Sequence, residues 1–323
     1  MRRSSWNSSR SNFSTVDRLP ASASCVVACK GHATIPSMRY QLPSIFQTTE
    51  IPGVAGRFYL NSTICDEFVS ALESQPDLFP DLFNVREDSA RGTVQEIDTG
   101  KGIVVVRRYK HGGLVGNILG KAHWGEGRAI QEIYVHEAAR EAGILCPEVI
   151  GFRSEQKGLF TQLDLITKKI SDARPLEDWL KTASASDSRR LSADLAALVN
   201  RMHEAGLIHA DFHVRNILVQ TKDDGNNLFV LDWDRGQQVD SVSTEQASQT
   251  LFRLNRSMEK FGVSPTHFSK ADRLRFLKEY LLSAGRLDSL RSLADACQRH
   301  LDRHRLWWRL CGRSAGSNAQ PDP

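Results

Sequence analysis

"HADFHVRNILVQTKDDGNNLFVLDWDRG" occupies residues 209–236, and the order of its polar and apolar residues decides the fold. Asp211 follows His209 after one residue, Asn216 comes five positions after Asp211, and Asp232 closes a second apolar run. "NILVQ" (216–220) and "LFVLD" (228–232) are strand-like runs on either side of "DDGNN" (223–227), which predicts a hairpin. Just upstream, "SRRLSADLAALVNRMHEAG" (188–206) predicts an amphipathic helix. Leu191, Leu195, Leu198 and Met202 share one face, and Gly206 supplies the stop.

A helix, an Asp–Asn loop, a hairpin and a second Asp together have a chemical meaning. Phosphoryl transfer needs metal ions on the phosphates, a carboxylate to orient the acceptor hydroxyl, and a cation on the donor. Kinases meet this with H-x-D-x-x-x-x-N, then an Asp after a hairpin, and a cation on an earlier strand. Asp211 is therefore the candidate catalytic residue. Asn216 and Asp232 are the candidate oxygen ligands of Mg²⁺, a hard cation, with ATP as donor. Taken singly, such residues are ordinary turn formers, and His209 would pass for a satisfied core histidine. Their order is what distinguishes them.

Earlier in the chain, "RGTVQEID", "TGKG" and "IVVVRRY" (91–109) predict a hairpin that ends at Arg107, where the kinase pattern V-A-I-K has Lys. An Arg can clamp phosphate as a fork, though it does not replace a Lys neutrally. The next segment, "GRAIQEIYVHEAAREAGI" (127–144), predicts a helix with Ile130, Ile133, Ala138 and Ala142 on its inner face. Glu132 on that helix is the candidate to orient Arg107. A surface Arg and a solvated helix acid are the plainer alternatives. A full glycine-rich loop is missing, since only "ARG" (90–92) precedes the first strand of this hairpin. Ala210 stands for the Arg of H-R-D, which would pair a phosphorylated activation loop, and Asp234 stands for the Gly of D-F-G. Both point to a small-molecule or glycolipid acceptor.

The whole chain reads as α+β: a β-rich half with one helix, then a mainly helical half with a small hairpin, meeting near "LITKKI" (165–170). Its 323 residues allow two lobes with a shared core, and the net charge of +4 excludes little. No stretch approaches the roughly 20 apolar residues that cross a bilayer, so no integral membrane segment is expected. The six cysteines lack zinc-like spacing and read as reduced thiols. Residues 1–37 are rich in Ser and Arg and read as a disordered extension or an over-called start, with Met38 the initiator. A transit peptide would share that composition. The divisions drawn are 1–37, an N-lobe over 38–170, a C-lobe over 171–313 and a disordered tail over 314–323.

These residues, in order, resemble the lipopolysaccharide kinase family, and within it the 3-deoxy-D-manno-octulosonic acid (Kdo) kinases. The resemblance rests on "VVVRRYKHGGLVG" (104–116), "AGILCPEVIGF" (142–152), "LDLITKKI" (163–170), "MHEAGLIHADFHVRNILV" (202–219), "LDWDRG" (231–236) and "LFRLNRSMEKF" (251–261). It implies a protein-kinase-like two-lobed fold and ATP-dependent phosphorylation of the 4-hydroxyl of Kdo on a lipid A precursor. It also implies action at the cytoplasmic face of the bacterial inner membrane. A Kdo-lipid A glycolipid and the membrane surface are the partners implied, and nucleic acid is not. Trp307 and Trp308, set among Arg303, Arg305 and Arg309, would suit an interfacial contact, or simply pack as a terminal helix. His213 and Arg215 stand where the family has Asn and His, so they are expected to bear on acceptor identity, and Trp233 replaces the usual Phe. A heptose or other sugar kinase on this scaffold is one alternative; a binding module without turnover is another.

Overall fold

The computed structural model describes residues 40–74, 94–100, 102–109, 125–158, 160–222, 225–263 and 267–283, with Asp295 and Arg299. The expectations for residues 1–37, "KHGG" (110–113), "ARG" (90–92) and the C-terminal tryptophans lie outside them.

The first lobe contains β1 (Phe46–Thr49), β2 (Arg57–Asn61), α1 (Asp66–Ser74), β3 (Val94–Asp98) and β4 (Ile103–Arg108). It continues through α2 (Gly127–Glu141), β5 (Val149–Lys157) and β6 (Phe160–Lys168). The strands form one sheet in the order β1-β2-β5-β6-β4-β3, with every pairing antiparallel. Two apolar layers cover its faces. Phe58, Leu60, Val104, Val106, Ile150 and Ile166 meet Phe68 and Leu72 of α1, whereas Phe152, Leu163 and Leu165 meet Ala129 and Ile133 of α2.

Strand alternation decides where the two consecutive arginines of β4 go. Val104, Val106 and Arg108 are buried on one face, and Arg107 points to the other, toward α2. Arg108 enters a buried ion network. Its Nε donates to Asp164 Oδ1 at 2.7 Å, and Arg153 Nη1 reaches Asp164 Oδ2 at 2.9 Å. Asp164 is wholly buried, so two guanidinium groups compensate one carboxylate that has no access to water.

The second lobe runs β7 (Ala173–Pro175), α3 (Leu176–Thr182), α4 (Ala185–Glu204), β8 (Leu207–Ile208) and a 3₁₀ turn (Val214–Asn216). It ends with β9 (Ile217–Lys222), β10 (Gly225–Val230), β11 (Gln237–Gln238), α5 (Thr244–Lys260) and α6 (Lys270–Ser283). Ser184 and Asp187 form a capping box at the start of α4, and Ser243 and Gln246 form one at the start of α5. Leu191, Leu195, Leu198 and Met202 are buried along α4, each worth about 1.5–3 kcal/mol of apolar transfer. Past α4, Gly206 has φ +70, and a Cβ there would lie 1.9 Å from the Val239 carbonyl oxygen. Only glycine turns the chain toward the Asp211 loop at that point.

Two expectations need correction. The first lobe contains two described helices instead of one, and β1 and β2 extend its sheet on the β5 side. α1 has only nine residues and β1 only four, too short for hydrophobic periodicity to stand out. The inner face of α2 is also rotated from the predicted stripe. Ala129, Glu132, Ile133, Val135, His136 and Ala139 are buried, while Ile130, Ala138 and Ala142 are half-buried. Two polar residues occupy the buried face, so counting apolar residues misplaces it.

Candidate functional site

The hairpin β9–β10 delivers both ends of the site. Ile217 pairs with Val230, so Asn216 and Leu231 lie just beyond the last ladder pair, and Leu231 N–H donates to the Asn216 carbonyl at 2.8 Å. His209, directly after β8, is wholly buried. One ring nitrogen faces the Leu231 carbonyl at 2.9 Å and the other accepts the Asp211 N–H at 3.1 Å. A carbonyl only accepts and an amide N–H only donates, so the proton sits on Nε2 and the ring is neutral. Burial lowers the His209 pKa and holds it in that form.

Asp211 itself is open, with its side chain 74% exposed. Asn216 Nδ2 donates to the Asp211 carbonyl at 3.0 Å, which commits the amide nitrogen and leaves Oδ1 as the outward ligand atom. His213 caps the 3₁₀ turn: its Nδ1 accepts the N–H groups of Arg215 and Asn216, each at 3.2 Å. The remaining ring nitrogen, carrying the proton, lies 3.4 Å from Asp211 Oδ2. This contact with His213 is the foremost reason that Asp211 is held below the usual carboxylate range.

Asp232 adopts φ 61, a left-handed conformation that Asp tolerates better than most residues. Arg107 lies between two carboxylates, with Nη2 at 2.5 Å from Glu132 Oε1 and Nη1 at 3.1 Å from Asp232 Oδ1. The second approach is close but not aligned as a hydrogen bond, and among the described residues Asp232 Oδ1 is a buried oxygen without a hydrogen-bond donor. Burial works against the Arg107 charge, but Glu132 and Asp232 outweigh it and raise its pKa. Burial likewise pushes Glu132 up to about 7, against the pull of Arg107. The site thus joins β4, α2 and the Asp232 loop through one guanidinium.

Asp232 Oδ1 and Asn216 Oδ1 are hard oxygen atoms suited to Mg²⁺. Among the described residues no three His, Cys, Asp or Glu side chains converge as a metal cage. Mg²⁺ commonly takes one or two protein oxygens and completes its shell with phosphates and water, so this sparse donor set fits it.

Sequence reading missed one element of the site. Arg128, in the first turn of α2, grips Asp234 with both ends of its fork, Nε to Oδ1 at 2.7 Å and Nη2 to Oδ2 at 2.5 Å. Gln131 Nε2 donates to the Gly236 carbonyl at 2.9 Å beside it. The only available signal was Asp234 where D-F-G has Gly. Arg215, expected to bear on acceptor identity, donates its Nε to Glu177 at 2.7 Å, and its guanidinium lies 3.9 Å from the Phe261 ring centre. That pair anchors the 3₁₀ turn to α3. Trp233 is buried, donates to Cys146 Sγ at 3.3 Å, and packs 5.0 Å from the His209 ring.

The family model for lipopolysaccharide kinases (Kdo/WaaP) matches residues 82–280. A 3-deoxy-D-manno-octulosonic acid kinase from Vibrio cholerae is 30% identical over 176 residues, 53% of this chain and 72% of its own length. One from Vibrio vulnificus is 28% identical over 179 residues, 54% of this chain and 73% of its own. A solved structure of WaaP in complex with acyl carrier protein gives a TM-score of 0.50 at 18% identity, covering 70% of this chain and 92% of that one. At that identity the likeness concerns the fold, which is two-lobed and protein-kinase-like.

Proposed function

The chain belongs to the lipopolysaccharide kinase (Kdo/WaaP) family, and on that premise we propose that it transfers phosphate from ATP to the 4-hydroxyl of Kdo on a lipid A precursor. The observation that carries this reading is the convergence of Asp211, Asn216 and Asp232 around neutral His209, with Arg107 held at Asp232.

Arg107 would receive the donor phosphates, oriented by Glu132. Asn216 and Asp232 would hold Mg²⁺, which when bound neutralises charge on the phosphates. Asp211 accepts the hydrogen bond of the acceptor hydroxyl. As the new oxygen–phosphorus bond forms and the bond to the ADP oxygen breaks, the hydroxyl proton passes to Asp211. His213 fixes the carboxylate from the side. The acceptor is a membrane glycolipid and ATP is cytosolic, so the reaction belongs at the cytoplasmic face of the inner membrane.

Labelled ATP with Kdo-lipid A tests the reading. Wild-type protein transfers phosphate, and Asp211→Asn loses roughly 10²–10⁴-fold in kcat without a change in thermal unfolding. Full turnover by the variant contradicts it.

A further inference from the structure

"LFRLNRSMEKF" (251–261) has no role in the chemistry described so far, yet α5, which carries all of it but its capping Phe261, lies against the catalytic loop. Leu251, Leu254 and Met258 are buried and hold the helix to the core. On its flank, residues four apart stack one above another, and Phe261, Ser257 and Arg253 form such a row. The Phe261 ring meets the Arg215 guanidinium at 3.9 Å and the edge of the His213 ring at 5.9 Å. One turn back, Ser257 Oγ accepts the Val214 N–H at 3.1 Å and donates to the Leu254 carbonyl at 2.7 Å. The turn from His213 to Arg215 is thus seated on Ser257 and Phe261, and Arg253 lies one helical turn before Ser257 on the same flank.

Arg253 is exposed and makes no hydrogen bond or ion pair with the described residues. Its charge acts on the Asp211 carboxylate. Arg215, the cation nearer in sequence, is already neutralised by Glu177. An acidic acceptor nearing ionised Asp211 meets like-charge repulsion, and a cation beside the carboxylate offsets it. Lys260, seven residues on and on the same flank, extends the basic edge.

We propose that Arg253 binds an anionic group of the acceptor, a carboxylate or a phosphate monoester, while Asp211 engages the acceptor hydroxyl. The planar fork of Arg suits either oxyanion. This inference rests on the reading of the protein as a kinase of an acidic glycolipid.

The test varies Kdo-lipid A at saturating ATP, using the full chain. Arg253→Ala raises the acceptor KM roughly tenfold or more, as expected for a lost charge-assisted hydrogen bond. Its ATP KM and its thermal unfolding stay at wild-type values, and Arg253→Lys recovers part of the loss. Two altered acceptors identify the group: one with the Kdo carboxyl amidated, one with the lipid A phosphates removed. The difference between Arg253→Ala and wild type vanishes on the acceptor that lacks the group Arg253 binds. A wild-type acceptor KM in Arg253→Ala, or a difference that persists unchanged on both altered acceptors, overturns the proposal. Absence of transfer by wild-type protein contradicts the functional reading instead. Binding of the glycolipid in detergent micelles then decides Arg253 alone, and equal affinities of wild type and Arg253→Ala overturn it.

Discussion

His209 donates its Nε2 hydrogen to the Leu231 carbonyl at 2.9 Å, tying the Asp211 loop to the residue before Asp232. Burial keeps this ring neutral, so its folded pKa lies below the unfolded value. The unfolded chain binds a proton that the folded chain refuses. Stability from this group is present above the unfolded His pKa of about 6.5 and falls as pH drops below it. Melting temperature measured from pH 7.5 to 5 should decline in the wild type, and His209→Gln should flatten part of that slope. An identical slope in both proteins contradicts the assignment.

Arg107 holds two carboxylates on separate elements, which a single ammonium cannot do with the same geometry. Arg107→Ala should lower kcat by roughly 10²–10³-fold and raise the KM for ATP. Arg107→Lys should fall between the two, despite restoring the residue usual in kinases. Steady-state kinetics with ATP varied provides the check.

Arg128 stands at the N-terminal end of α2, where the helix dipole disfavours a cation by about 0.3–1 kcal/mol. Its bidentate pair with Asp234 offsets that cost and fixes α2 to the loop that carries Asp232. Asp234→Arg should abolish most transfer, and the double exchange Arg128→Asp with Asp234→Arg should recover a measurable share. Absence of recovery in the double variant would assign the two residues separate roles.

Asp164 accepts from both Arg108 and Arg153 in the interior of the first lobe. Asp164→Ala removes the carboxylate that Arg108 pairs with and leaves Arg153 with Glu155, and it should cost roughly 3–5 kcal/mol. Urea unfolding measures this directly. Asp164→Asn, which keeps the shape and part of the hydrogen bonding, should cost less.

The parts of the site legible in the sequence are those whose chemistry is local. His209, Asp211, Asn216 and Asp232 lie within one helix–loop–hairpin segment, so short spacing and hairpin signals place them together. The pairing of Arg107 with Glu132 could be anticipated because a strand-end cation in a kinase pattern calls for a helix acid. Arg128–Asp234 and Arg215–Glu177 were not legible, since each joins charged residues distant in sequence that resemble solvated surface. Asp164 was hidden differently. It sits in "QLDLIT", where strand alternation predicts a face but not the two arginines that make burying a carboxylate tolerable. The β1, β2 and α1 elements escaped because short pieces of secondary structure gain their stability from the sheet they join.

The central claim, that Asp211 directs phosphate to the Kdo 4-hydroxyl, is tested most directly by the product itself. Wild-type protein, ATP, Mg²⁺ and a defined Kdo-lipid A are incubated, and the product is analysed by mass spectrometry and phosphorus-correlated NMR. The account predicts the addition of one phosphoryl group, linked to the Kdo 4-oxygen and absent with Asp211→Asn. Phosphate found only on heptose of an extended acceptor, or no transfer to Kdo at all, would contradict it.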